Sequence, residues 1–305
     1  MEEKKKTINK TVNRTGKSLV KKALVVNSKK QSRVNTEQVK KLNEEVKAKK
    51  ERAKKEISEK TSVEEIGAVE VQQKPDKKYD LTIDMKDMLA AGSHLGHKVA
   101  KTHPKARDYI YTSKDGVEIL DLTNSINELE KACNYIYNAK RNGKQVLMVG
   151  TKRQAREVVK RVAEDAQVAY VTDRWLGGTI TNWEEIRKNI KRLKDLKQGI
   201  EAGTFSDLTK KELSDTKKEI GRLERNVGGL VNLDKMFDIL FVVDAGFEKT
   251  AVREARLRGI KVVALVDTDS NPEKVDYPIP ANDDSVKSVN LIVEEVGRAI
   301  KAAGV

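Results

Sequence analysis

The 305-residue chain has one cysteine, three histidines, five prolines and 13 aromatic side chains. A lone Cys133 excludes a disulfide framework within the chain and any all-cysteine zinc module. No apolar run approaches the roughly 18 residues that would span a bilayer, so no transmembrane helix is expected. The first residues lack the apolar stretch of a secretory signal. They are also too Lys-rich and too acidic for an organelle transit peptide. With so few aromatics, reading single strands by base stacking is disfavoured. These absences leave a soluble, intracellular, basic protein whose expected partner is a polyanion.

What is abundant is charge: 61 basic against 47 acidic side chains, a formal +14. Residues 1–80 hold 23 of the basic and 13 of the acidic groups, a net +10, whereas residues 81–305 are nearly balanced at +4. Lysine clusters and small polar residues fill the first 33 positions. From Val34 to Lys60, Val39, Leu42, Val46, Ala53 and Ile57 recur at helical spacing. Two readings stay open for this extension: a solvated, partly disordered tail, or a basic arm that orders on nucleic acid.

Beyond Pro75 the pattern changes to alternating elements. Asp84–Ala91 predicts a short helix stopped by Gly92. Val117–Leu120 predicts a strand, followed by a helix from about Thr123 with the capping box Ser125-x-x-Glu128, ending at Asn142-Gly143. Gln145–Val149 predicts the next strand, and Gly150 turns it into a helix capped by Thr151. Val168–Val171, Ile239–Val243 and Lys261–Val266 predict further strands, with helices over Glu248–Arg258 and Asp283–Ala302. This alternation predicts an α/β, doubly wound parallel sheet. Between Trp183 and Val227 no strand is expected. Two charged helices there carry narrow seams (Ile186, Ile190, Leu193, Ile200; then Leu213, Ile220, Leu223, Val227) around the linker 203–206. That spacing predicts an antiparallel coiled-coil hairpin inserted at about 181–230, reaching about 27 Å.

Several motifs carry potential chemistry. Gly150-Thr151-Lys152 sits where phosphate is held in nucleotide-binding folds, but no complete phosphate loop is present. His94, His97 and His103 cluster in a Gly-containing loop, a weak candidate for a metal site. Asp121, Asp173, Asp244, Asp267 and Asp269 end predicted strands, where ligands bind in doubly wound sheets and where turn residues are also common. Around Arg174, the glycines Gly177 and Gly178 and the tryptophans Trp175 and Trp183 predict an unusual structural turn. Its backbone amides and Arg174 could meet phosphate. No nucleophile elbow is visible, and catalysis is not expected.

Leu89-Ala-Ala-Gly-Ser-His-Leu-Gly-His97, Pro104-Lys105 and Tyr109-Ile-Tyr111 resemble the opening signature of small-subunit ribosomal protein number two, bacterial type. Val149-Gly-Thr-Lys-Arg153, Arg174-Trp-Leu-Gly-Gly178, Thr181-Asn-Trp183 and Ile190-Lys-Arg-Leu193 are similar to that family in the same order. Leu208-Thr-Lys-Lys-Glu212, Asp244-Ala245, Val266-Asp-Thr268, Asn271-Pro272 and Ile279-Pro280 extend the resemblance over about 81–301. It implies a five-stranded, mostly parallel sheet with helices on both faces and a protruding coiled-coil hairpin. It also implies a non-enzymatic, cytoplasmic, ribosome-bound component of translation, without cofactor or membrane. Such a protein binds small-subunit rRNA between head and body and helps recruit the mRNA-loading ribosomal protein number one. Carried onto this chain, the implied RNA contacts are Lys98, Lys101, Lys105, Arg107, Lys152, Arg153, Arg174, Arg187, Lys191, Arg192 and Lys194. Two departures stand out. Thr102-His103 replaces the family's usual Trp-Asn, and residues 1–80 have no counterpart in the short bacterial form.

Overall fold

The computed structural model describes residues 78–202, 209–233 and 235–304. The basic extension up to residue 77 and the hairpin linker 203–206 therefore lie outside the described residues.

Helix α1 (Met85–Ala91) starts at Asp84, whose carboxylate accepts from the Lys86 and Asp87 amides, and ends at Gly92 as expected. Strands β1 (Leu95–Lys98), β2 (Ile110–Lys114) and β3 (Val117–Leu120) then pair antiparallel in the order β1-β3-β2. Val117–Leu120 is thus a strand, but it does not join the parallel sheet. The reason is the two-residue turn Asp115-Gly116, both at positive φ (53° and 78°), which folds β3 back onto β2. Asp-Gly between short strands is a strong hairpin signal.

Helix α2 (Leu122–Arg141) is capped by Asp121, which accepts from the Thr123 amide. The Ser125 hydroxyl donates back to the Asp121 carbonyl, so the expected Ser125/Glu128 box is not the cap, while the helix starts within a residue of the expected Thr123. Next come β4 (Val146–Val149), α3 (Arg156–Asp165), β5 (Ala169–Val171), α4 (Trp183–Glu201) and α5 (Lys210–Val227). The chain finishes with β6 (Ile239–Val243), α6 (Lys249–Leu257), β7 (Lys261–Val266), β8 (Tyr277–Pro280) and α7 (Val286–Ala303).

All pairings in the order β5-β4-β6-β7-β8 are parallel. Strand β8 takes the fifth place that the sequence pattern gave to Val117–Leu120. Its Tyr-Pro-Ile-Pro sequence hides a strand, because proline cannot donate to a ladder on both sides. At the edge, pairing with β7 alone, that loss is tolerated.

The strands distribute their side chains with period two. Val146, Met148, Ile239, Phe241, Val243, Val263 and Leu265 pack with α2, α3 and α7 on one face. Leu147, Val149, Leu240, Val242, Val262, Ala264 and Val266 pack on the other with α4, α5, α6 and the Trp175–Ile180 turn. Burial on both faces is why these strands read as unbroken apolar runs. The two charged helices share this second core. Ile186, Ile190, Leu193, Leu223 and Val227 are buried at their sheet-proximal ends, while Ile200 is 37% exposed. Arg192 bridges to Glu219 and Lys197 to Glu224, each at 2.7 Å, tying α4 to α5. The capping box Thr209/Glu212 opens α5 as expected. The pair is anchored in the core at its base and so is more than the free arm its sequence suggests.

Candidate functional site

Strand order 5-4-6-7-8 reverses direction between β4 and β6, and the crevice outside that switch point is where α/β sheets bind ligands. The chain fills it with its own charges. Lys152, just past β4, lies 3.2 Å from Asp244, 2.8 Å from Asp283 and 2.7 Å from Asp284. Its side chain is 15% exposed. Burial works against the ammonium, but hydrogen bonds to Asp283 and Asp284 outweigh it and hold the pKa above the ordinary lysine value. Burial chiefly pushes the Asp283 carboxyl up, with Asp244 and Asp267 adding repulsion and Lys152 opposing them.

His97 closes this cluster from the small sheet. Its amide donates to Thr268 Oγ1 at 2.8 Å. Its Nδ1 lies 3.1 Å from Asp267 Oδ2, an ion-pair contact off hydrogen-bond alignment. Asp267 is the main cause raising the imidazole to about 9; burial opposes it, and Asp269 and Asp283 add to it. Among the described residues, one histidine and two carboxylates, His97, Asp283 and Asp284, bring ligand atoms within 4.8 Å of one another. Lys152 Nζ already lies 2.8 Å from Asp283 and 2.7 Å from Asp284, so a metal ion there would have to displace that ammonium. The other two histidines do not join it. His103 Nδ1 accepts from the Lys105 amide and caps a short helical turn, and the buried His94 Nδ1 has no protein partner. Asp121, also named from its strand-end position, is a helix cap, and Asp173 faces Arg156 at 4.0 Å.

The Gly150-Thr151-Lys152 turn is likewise satisfied internally. Thr151 donates its amide (3.3 Å) and its hydroxyl to Glu248 Oε1. Thr151 is therefore not a helix cap; α3 begins at Arg156, with no side-chain cap at all. Burial raises the Glu248 pKa, only partly offset by the Thr151 bonds. Gly150 is required for packing: a Cβ there would lie 2.7 Å from Val159 Cγ2. An amide occupied by a carboxylate is not offered to a nucleotide phosphate.

The turn after Arg174 repeats this arrangement. Glu254, 6% exposed, accepts from the amides of Gly178 (2.8 Å), Ile180 (3.1 Å) and Thr181 (3.3 Å) and from the Trp175 indole (3.5 Å). Burial alone would raise its pKa, but these donors together hold it below the ordinary glutamate value. Gly178 has φ +94°, so glycine is needed there, whereas a Cβ at Gly177 would meet open space. Trp175 is buried, and Trp183, half-buried, opens α4 against the same core. The amides that looked available to phosphate belong to Glu254. The pattern of spacing could not reveal that partner, which lies 73 to 76 residues away.

The remaining cations named from sequence face solvent. Lys98, Lys101, Arg107, Arg153 and Arg174 are exposed without an ion pair to a described residue, and Lys105 pairs with Glu273 at 2.7 Å. On α4, Arg187, Lys191 and Lys194 are exposed at i, i+4, i+7 spacing with no ion pair to a described residue, while Arg192 is held by Glu219. Lys152 stands apart, enclosed by carboxylates.

The family model described as Ribosomal protein S2 matches residues 88–303. That range takes in the small sheet from β1, the switch-point cluster, the Glu254 turn, the helix pair and α7. The chain belongs to the ribosomal protein S2 family. It is also 43% identical over 218 residues to the small ribosomal subunit protein uS2 of Oenococcus oeni, covering 72% of this chain and 84% of that protein. S2 is a family of bacterial-type structural ribosomal proteins rather than of enzymes. In this S2-family chain the crevice that enzymes of similar topology leave open holds an internal ion network. Among the described residues, no helix is long and apolar enough to cross a membrane.

Proposed function

We propose that this chain is a structural component of the small ribosomal subunit that binds small-subunit rRNA between head and body. On this reading it also supports docking of ribosomal protein number one, and so acts in translation as part of a cytoplasmic ribonucleoprotein. Membership of the S2 family carries the reading. The unpaired stripe Arg187, Lys191 and Lys194, with exposed Lys98, Lys101, Arg107, Arg153 and Arg174, supplies cations for phosphate, and Lys105 and Arg192 adjoin them. The helix pair acts as a coiled-coil arm presenting that stripe. Residues 1–80 add a further basic arm for RNA or protein.

Sucrose-gradient fractionation of cell lysate tests the assembly: the chain is expected to sediment with small subunits, and recovery in ribosome-free fractions would overturn it. Pull-down of ribosomal protein number one by subunits with and without this chain tests the docking role.

A further inference from the structure

Helix α6 presents two opposite faces. Ala251, Glu254 and Ala255 are buried against the core and the Trp175 turn. Lys249, Arg253 and Arg256 fall on the other side, within about 60° of arc and about 10 Å along the axis. All three are exposed, and none makes an ion pair with a described residue. They form one wall of a groove of about 740 Å³ that runs between α6 and the segment after β7. Lys274 stands on the opposite wall, and Asp269 is the one carboxylate in the lining. We infer that this groove is a second RNA contact, holding the sugar-phosphate backbone of folded small-subunit rRNA.

Four cations against one acid create a concave positive field, and a concave wall focuses it on a polyanion. The Lys-Arg-Arg stripe has the same i, i+4, i+7 spacing as Arg187, Lys191 and Lys194 on α4. Among the described residues no Phe, Tyr or Trp lines the groove and His103 is its one aromatic ring, so it offers little platform for stacking unpaired bases. Backbone contact to a structured RNA is what remains. An acidic peptide would meet the same cations but would need a pocket for an apolar anchor. Leu257, 73% exposed at the rim, is not enclosed in one.

This inference rests on the reading that the chain binds small-subunit rRNA, and the two can fail separately. The test is titration of the full chain with transcribed small-subunit rRNA at several salt concentrations, comparing wild type with Lys249→Gln/Arg253→Gln/Arg256→Gln. Because these side chains are exposed and unpaired, the variant is expected to keep the wild-type circular dichroism and thermal midpoint. Lys274→Gln, on the other wall, provides an independent variant. The triple variant is expected to bind about 10- to 100-fold more weakly near physiological salt. Its log-log salt slope should shrink by about 2 to 3, and that of Lys274→Gln by about 1. Wild type failing to bind rRNA even at low salt would overturn the functional reading itself. Wild type binding normally while both variants match it in affinity and slope overturns the groove alone. Unchanged rRNA binding with loss of the variant from small subunits on a gradient would assign the cations to a protein neighbour, and overturns it too.

Discussion

Lys152 and Lys191 are both lysines that the family resemblance puts forward as RNA contacts, yet they live in opposite surroundings. Lys152 lies within 3.2 Å of three carboxylates and is largely enclosed. Lys191 is exposed on α4 with no ion pair to a described residue. The same division separates whole regions. At the carboxyl edge of the sheet, the two turns that resemble anion sites are already occupied: Glu248 takes the Thr151 turn and Glu254 the Gly178 turn. Along the outer faces of α4 and α6, Arg187, Lys191, Lys194, Lys249, Arg253 and Arg256 stand in stripes without an ion pair to a described residue. The proposed rRNA-binding role needs both. On that reading, internal anions fix the turns and leave the exposed cations of α4 and α6 to a partner.

Removing Lys152 should break the first region most severely. Lys152→Met would leave Asp244, Asp283 and Asp284 facing one another without their ammonium. Losing one partner of a buried ion pair typically costs about 3–5 kcal/mol. A large drop in the thermal midpoint is expected, and Lys191→Met should leave it unchanged. Equal midpoints for the two variants would erase the distinction.

Glu254 gives the next largest effect. Glu254→Ala would strip the anion from three backbone amides and an indole, at about 2–4 kcal/mol for a buried, charge-assisted set. Its pH dependence has a definite sign. With a folded-state pKa below the ordinary glutamate value, its contribution is full above about pH 4.3 and fades as pH falls through the folded value. Wild type should therefore lose stability on acidification more steeply than Glu254→Gln, which has no proton to take up. Urea denaturation at neutral pH and below about pH 4 measures the difference, and parallel curves would remove Glu254 from its assigned role.

Periodicity made most of the scaffold legible. The runs Ile239–Val243 and Lys261–Val266 and the Thr209/Glu212 box appear where expected, because a buried strand and a capped helix write themselves locally. The misreadings share a cause. Tyr277–Pro280 was hidden since its prolines are acceptable only at an edge, and edge position is a property of the sheet. The Thr151 and Ser125 caps failed because another partner, Glu248 or the Asp121 carbonyl, claimed the hydroxyl. Of the site, the cations of α4 came from the family resemblance, and the helix then sets Arg187, Lys191 and Lys194 on one face. The equivalent stripe on α6 passed unnoticed, since its significance depends on a groove wall contributed by residues 269–274.

The smallest effect divides two neighbours on one helix. Arg192 and Lys191 are adjacent in sequence, but Arg192 is committed to Glu219 at 2.7 Å while Lys191 is free of any described acid. Arg192 is 61% exposed, so Arg192→Ala should lower stability by about 0.2–1 kcal/mol, the range for surface ion pairs. Lys191→Ala should not change stability measurably. For rRNA binding the order reverses. Loss of Lys191 should reduce the log-log salt slope by about 0.7–0.9, whereas loss of Arg192 should reduce it by less, because its charge is already partly neutralised within the chain. If Arg192→Ala alters the slope as much as Lys191→Ala, pairing in the free protein does not predict which cations meet RNA. The contrast between satisfied and unsatisfied charge would then hold for stability alone.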